Sequence, residues 1–151
     1  MSASERLAAL GLELPAVAAP VAAYVPATRS GDQVLTSGQL PFVDGALPLT
    51  GKVGAGVTPE QAQAAARVCA LNAVAAAAEV VGGLDAIRRV VKVVVFVASD
   101  PAFTGQPVVA NGASVLLGEI FGEAGVHVRS AVGVAVLPLD SPVEVELVVE
   151  V

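Results

Sequence analysis

The last part of the chain alternates with a period of two. From residue 143 onward, Val143, Val145, Leu147 and Val149 share one face and Glu144, Glu146, Val148 and Glu150 the other. This pattern marks a strand with one face on a core. Between residues 126 and 136 the even positions are Val126, Val128, Ser130, Val132, Val134 and Val136. The odd ones are His127, Arg129, Ala131, Gly133 and Ala135. Residues 90–98 are β-branched and nearly all apolar, which predicts a buried central strand. Two earlier strands are predicted at 24–28 and 33–37, joined by a turn at Ser30-Gly31-Asp32. A further strand or loop covers 38–43, followed by an Asp44-Gly45 turn.

Helical signals separate these strands. Thr58, Pro59 and Gln61 form a capping-box start, and Gly82-Gly83 stops the helix they open at about Val81. A second helix is expected over 107–121, ended by Gly122. A short one begins at Ser4 and stops at Gly11, followed by an extended arm with two prolines. Residues 1–151 then read as one α+β domain, with 1–23 as its N-terminal helix and arm. The order is roughly β-β-β-α-β-α-β-β, a mixed sheet with two long helices packed on one face.

Composition sharpens this picture. Of 151 residues, 55% are apolar and only 15% charged, so some apolar surface is expected to lie against another subunit. The most apolar stretch, 62–81, carries Arg67, Asn72 and Glu79 and reads as a core helix, not a membrane span. No apolar leader is evident, which makes the cytoplasm the default location. A net charge of −6 argues against nucleic-acid binding, which rests on cations neutralising phosphates; Arg88, Arg89 and Lys92 are the sole basic cluster. Cys69 and His127 are each the only residue of their kind, so one chain has no disulfide framework and no multi-histidine metal site. A serine nucleophile lacks a G-x-S-x-G turn to support it.

The candidate chemistry lies where polar groups break the pattern. Arg129 shares a strand face with Ala131 and Gly133, the geometry of a pocket floor; pairing with a neighbouring glutamate is the plainer alternative. The three glutamates of the last strand read equally as a solvated face. Residues 36–39 (Thr-Ser-Gly-Gln) offer amides for an oxyanion, or simply a bulge or tight turn. Asn111, a poor helix former, is either a packing detail or a side chain aimed at a pocket.

Taken together, Tyr24, the run Leu35-Thr36-Ser37-Gly38-Gln39-Leu40-Pro41, the strand Val91-Lys92-Val93-Val94-Val95-Phe96, Asn111, Arg129-Ser130-Ala131-Val132, Leu137-Pro138 and Val143-Glu144-Val145-Glu146 resemble the RidA (YjgF/UK114) family from about residue 24 to the end. The pieces Asn111-Gly112-Ala113-Ser114 and Phe121-Gly122-Glu123 look like a subgroup distinct from the archetypal enzymes. The resemblance implies a chorismate-mutase-like fold, a homotrimer with pockets between subunits, and hydrolysis of enamine/imine intermediates to 2-oxo acids and ammonia. It implies no metal or organic cofactor. Arg129 matches the arginine that holds the substrate carboxylate, Glu144 the glutamate that helps place the attacking water, and Tyr24, Ser37, Gly38 and Asn111 pocket-lining positions. Ala131 stands where the family often has cysteine, which widens the predicted pocket. Two other readings remain: a non-catalytic trimer that binds a small acid or a regulatory partner, and a ribonuclease, which the acidic balance disfavours.

Overall fold

The computed structural model describes residues 1–20 and 22–151; Val21, inside the predicted arm, lies outside the described residues. Among the described residues the elements are α1 (Ala3–Ala9), β1 (Ala27–Ser30), β2 (Gln33–Thr36), α2 (Pro59–Val81), β3 (Arg89–Ala98), α3 (Gln106–Phe121), β4 (Val128–Val134) and β5 (Val143–Glu150). The strands form one sheet in the order β1-β2-β5-β3-β4. β3 and β4 run parallel, as the crossover through α3 requires; the other neighbours are antiparallel.

The capping box at α2 is complete. The Gln61 N–H donates to Thr58 Oγ1 at 3.1 Å and the Thr58 N–H to Gln61 Oε1 at 2.9 Å. Gly82 ends the helix at φ +83°, a left-handed conformation that glycine adopts without a Cβ penalty. The apolarity of α2 is spent inside the fold. Eight alanines between Ala62 and Ala78, together with Val74 and Cys69, are at most 3% exposed. They pack on Val34, Val145, Leu147 and Val149 of the sheet and on Val109, Ala113 and Leu116 of α3. Small side chains let the two helices approach until backbones touch: a Cβ on Gly112 would overlap the Gln63 carbonyl, lying 2.9 Å from its carbon.

Two expectations need correction. The first strand begins at Ala27, not Tyr24: the Gly31-Asp32 turn pairs Ser30 with Gln33, and the ladder so registered ends at Ala27 and Thr36. Of the two readings of residues 38–43, the loop is the one formed, with isolated bridges from Gln39 to Val145 and from Val43 to Ala46. β4 is shorter than the run of valines suggests. The Val126 N–H is held by Glu123 O of a 3-10 turn, and beyond Val134 the pairing ends. Within β3, a bulge between Val90 and Lys92 absorbs Val91, so Val90 and Val93 both face the helices although three positions apart.

Among the described residues, no helix covers the opposite face of the sheet. Cross-strand register aligns Leu35, Val148, Lys92 and Val128 in one row, then Glu146, Val94 and Ser130, then Glu144, Phe96 and Val132. Leu35, Val128 and Val132 are 39%, 64% and 44% exposed. The face is therefore half apolar and open to solvent.

Candidate functional site

Arg129 lies on the helix-facing side of β4, opposite Val93, on the edge strand of the sheet. Its guanidinium turns over α3. Nη1 donates to Asn111 Oδ1 at 2.9 Å and to Ser114 Oγ at 3.1 Å, and Nη2 to the Pro107 carbonyl at 3.3 Å. Positions 107, 111 and 114 follow the i, i+4, i+7 spacing of one helix face, so α3 presents the three acceptors as a ladder. Among the described residues no carboxylate lies within ion-pair distance of Arg129. Glu144 and Glu146 cannot pair with it inside one chain, because register sets them on the other face of the sheet. The glutamate-paired alternative is thereby set aside.

Asn111 thus contacts Arg129 directly, and Ala131 sits two residues along the same strand face, half-buried. The open floor expected beyond Ala131 is partly filled: a Cβ on Gly133 would lie 2.8 Å from Gln106 Nε2. Sequence reasoning missed two members of the cluster. Ser114 Oγ is 2.9 Å from His127 Nε2, and His127 Nδ1 is 2.6 Å from the Gly125 carbonyl. The signal was present, since Asn111 and Ser114 are spaced i, i+3 on a helix and His127 and Arg129 i, i+2 on a strand.

The remaining predicted residues form a second cluster across the sheet. Glu144 lies against Gly38, where a Cβ would overlap its Oε1 and sit 2.7 Å from its Cδ; only glycine leaves room for this carboxylate. Partial burial pushes the Glu144 carboxyl above its ordinary range, and the charge of Glu146 adds to the effect. The Ser37 N–H donates to Pro26 O and the Gln39 N–H to Val145 O, both at 2.8 Å. The Gly38 N–H between them has no acceptor among the described residues. The Ser37 hydroxyl donates to Val25 O at 2.6 Å, tying down the segment that carries Tyr24, a residue 48% exposed. Cys69 is fully buried against Val143 O, and burial raises its thiol well above the usual value, with Glu144 adding to the rise. It is inert packing.

The predicted residues thus fall into two clusters within one chain: Arg129 with Asn111 and Ala131, and Glu144 with Gly38, beside Ser37 and the segment that carries Tyr24. A separate cleft of about 520 Å³ lies between residues 15–18, the 42–45 turn and α2. Of the candidate residues only Gln39, the last of the 36–39 run, lines it, and Asn72 in its wall is engaged by the Leu40 and Phe42 carbonyls.

Comparison with known proteins bears on this geometry. The family model described as "YjgF/chorismate_mutase-like, putative endoribonuclease" matches residues 4–151. The chain is 51% identical to Protein TCP17 of Trypanosoma cruzi, over 98% of this chain and 96% of that one. A crystal structure of a "putative endoribonuclease" from Shewanella oneidensis MR-1 is 38% identical with TM-score 0.96, covering all of both chains. Escherichia coli TdcF with bound serine is 25% identical with TM-score 0.65, covering 89% of this chain and 93% of that one.

Proposed function

Starting from the fact that the chain belongs to the YjgF/RidA family, with its chorismate-mutase-like fold, we propose that it hydrolyses small imino acids to 2-oxo acids and ammonia as a homotrimer. The observation that carries this reading is Arg129: a cation held by three neutral acceptors, without a carboxylate of its own, on a sheet edge. Such an arginine is poised for a carboxylate from outside, which a planar guanidinium grips through two parallel donors. The bound serine of TdcF, an amino acid on a relative, is in keeping with a small carboxylate ligand.

The two clusters support the assembly. Arg129 and Glu144 face opposite ways in one chain, so a pocket that uses both needs the Arg129 side of one copy against the Glu144 side of another. The helix-free apolar sheet face supplies a surface for that contact, and a cyclic arrangement covers it in every copy. In the resulting pocket Arg129 fixes the substrate carboxylate and Glu144 accepts a proton from water near the Gly38 N–H. The water oxygen bonds to the C=N carbon of the protonated imine as the C=N π pair moves to nitrogen. The proton then passes from Glu144 to nitrogen; as the C–N bond breaks with its pair leaving on ammonia, the O–H proton of the intermediate returns to the Glu144 carboxylate, the C=O of the 2-oxo acid forms, and ammonia takes that proton away as ammonium. An iminium carbon is already electrophilic, so a carboxyl with a raised pKa suffices as the base that later returns the proton.

The endoribonuclease wording attached to the family is a competing reading. Against it stand the net charge of −6 and the engagement of both ring nitrogens of His127 within the chain. A non-catalytic small-acid binder would use the same Arg129 edge without turnover.

The test is a deaminase assay on imino acids generated in situ by an amino-acid oxidase, paired with melting temperature, on wild type and Arg129→Lys. Lysine keeps the charge but loses the fork, so the rate should fall by about 2–4 kcal/mol of transition-state stabilisation with little change in melting. A full rate with a lowered melting temperature would make Arg129 structural and remove the proposal. A monomer in sedimentation equilibrium at micromolar concentration would remove the shared pocket.

A further inference from the structure

Gly125 offers a carbonyl, which can only accept, at 2.6 Å from His127 Nδ1. Nδ1 therefore carries the ring hydrogen, and Nε2 of the neutral imidazole is a bare acceptor. The group 2.9 Å from it is the Ser114 hydroxyl, whose hydrogen is drawn toward the ring. That leaves the Ser114 lone pairs turned to Arg129, whose Nη1 donates to them at 3.1 Å. The bonds form a directed chain: guanidinium to hydroxyl, hydroxyl to imidazole, imidazole to backbone.

The chain decides which part of Arg129 stays available. A guanidinium has five N–H donors. Nη1 spends both of its hydrogens on Asn111 and Ser114, and Nη2 spends one on Pro107. With Pro107 served by the Nη2 hydrogen next to Nη1, the remaining donors, Nε–H and the second Nη2–H, share one edge of the plane, and neither has a further acceptor among the described residues. They are parallel and spaced for the two oxygens of one carboxylate. The end-on fork, which needs an Nη1 hydrogen, is closed.

We infer that Ser114 and His127 are positioning residues that lock Arg129 so that it presents only its Nε/Nη2 edge to a carboxylate. This rests on Arg129 as the carboxylate ligand of the proposed site. Without the imidazole, the Ser114 hydroxyl is free to turn back to its own helix carbonyl four residues earlier. Without the hydroxyl, one Nη1 hydrogen is unspent and the plane can swing on Asn111 and Pro107. Neither residue touches substrate, so the expected loss is in binding geometry.

The experiment compares Ser114→Ala, Ser114→Thr, His127→Phe and wild type in two readouts. In kinetics on imino acids generated in situ, Ser114→Ala should raise KM roughly tenfold, the worth of one hydrogen bond to a charged group, with kcat changed far less. Threonine, which keeps the hydroxyl, should restore KM, and His127→Phe should move it in the direction of alanine. In nitrogen-15 NMR the Arg129 Nη protons should be separately resolved in wild type and Ser114→Thr, and merge by rotation in Ser114→Ala. Unchanged KM and unchanged Nη signals in Ser114→Ala would overturn the inference. So would a KM increase that threonine fails to restore while melting temperature falls, because that is a packing effect. If wild type hydrolyses no imine, the proposed function fails, but the NMR comparison still decides the positioning role.

Discussion

Replacing Gly38 by alanine separates the site from the scaffold. Gly38 has no left-handed φ, so its backbone accepts a Cβ; the obstacle is Glu144, whose Cδ would be 2.7 Å away. An ordinary carbon–carbon contact is about 3.5–4 Å, so the carboxyl must retreat by roughly 1 Å. It can do so, because the intruded group is the end of a flexible side chain and neither Gly38 nor Glu144 belongs to the buried core. The cost in stability should stay below about 1 kcal/mol, or roughly 2–4 °C in melting temperature for a domain of this size. A reacting group misplaced by about 1 Å loses on the order of a hundredfold in rate. Melting followed by circular dichroism and kcat/KM in the deaminase assay, on the same preparation, give both numbers. Full activity in Gly38→Ala would show that the position of Glu144 does not matter to turnover. A melting temperature lowered by ten degrees or more would show that the contact is structural.

At Gly112 the obstacle is backbone, the Gln63 carbonyl. Gly112→Ala should cost about 2 kcal/mol net, overpacking outweighing the gain in helix propensity, measured as a lower midpoint in urea; an unchanged midpoint would mean the helices separate freely. The raised pKa of Glu144 makes a claim about pH. The folded form holds the proton more tightly than the unfolded one, so stability falls as pH rises from the ordinary carboxylate range through the raised value. Glu144→Gln should therefore melt higher than wild type at neutral pH, with the gain vanishing at acid pH. A neutral-pH loss would reveal a cation facing the carboxylate.

The helices were legible because their ends carry distinct chemistry. Thr58, Pro59, Gln61 and Gly82 bound α2 at residues 59–81, and Gly122 closes α3. Strand ends were not, since a run such as residues 126–136 continues β-branched past the last paired residue and contains no stop signal. The bulge at Val91 is invisible for the same reason: with valines on both faces, at 90, 91, 93, 94 and 95, the run has no clear phase. Alternation did place Arg129 on the side of Ala131 and Gly133 and the glutamates together on their own face. It gave no access to which sheet face each set occupies. That depends on strand order, and it is what puts Arg129 and Glu144 on opposite sides.

The strand order also governs how the chain can be made. β5, last in sequence, sits in the middle of the sheet between β2 and β3, and its two ladders join the β1–β2 hairpin to the β3–α3–β4 unit within the sheet. While the polypeptide is still emerging from the ribosome, those two pieces have no ladder in common. Val34 and Val93 wait beneath an incomplete roof, with apolar edges exposed to other nascent chains. Closure of the sheet must follow synthesis of residues 143–150. A chain that stops short of them should be a substrate for chaperones and proteases, not a smaller version of the same fold.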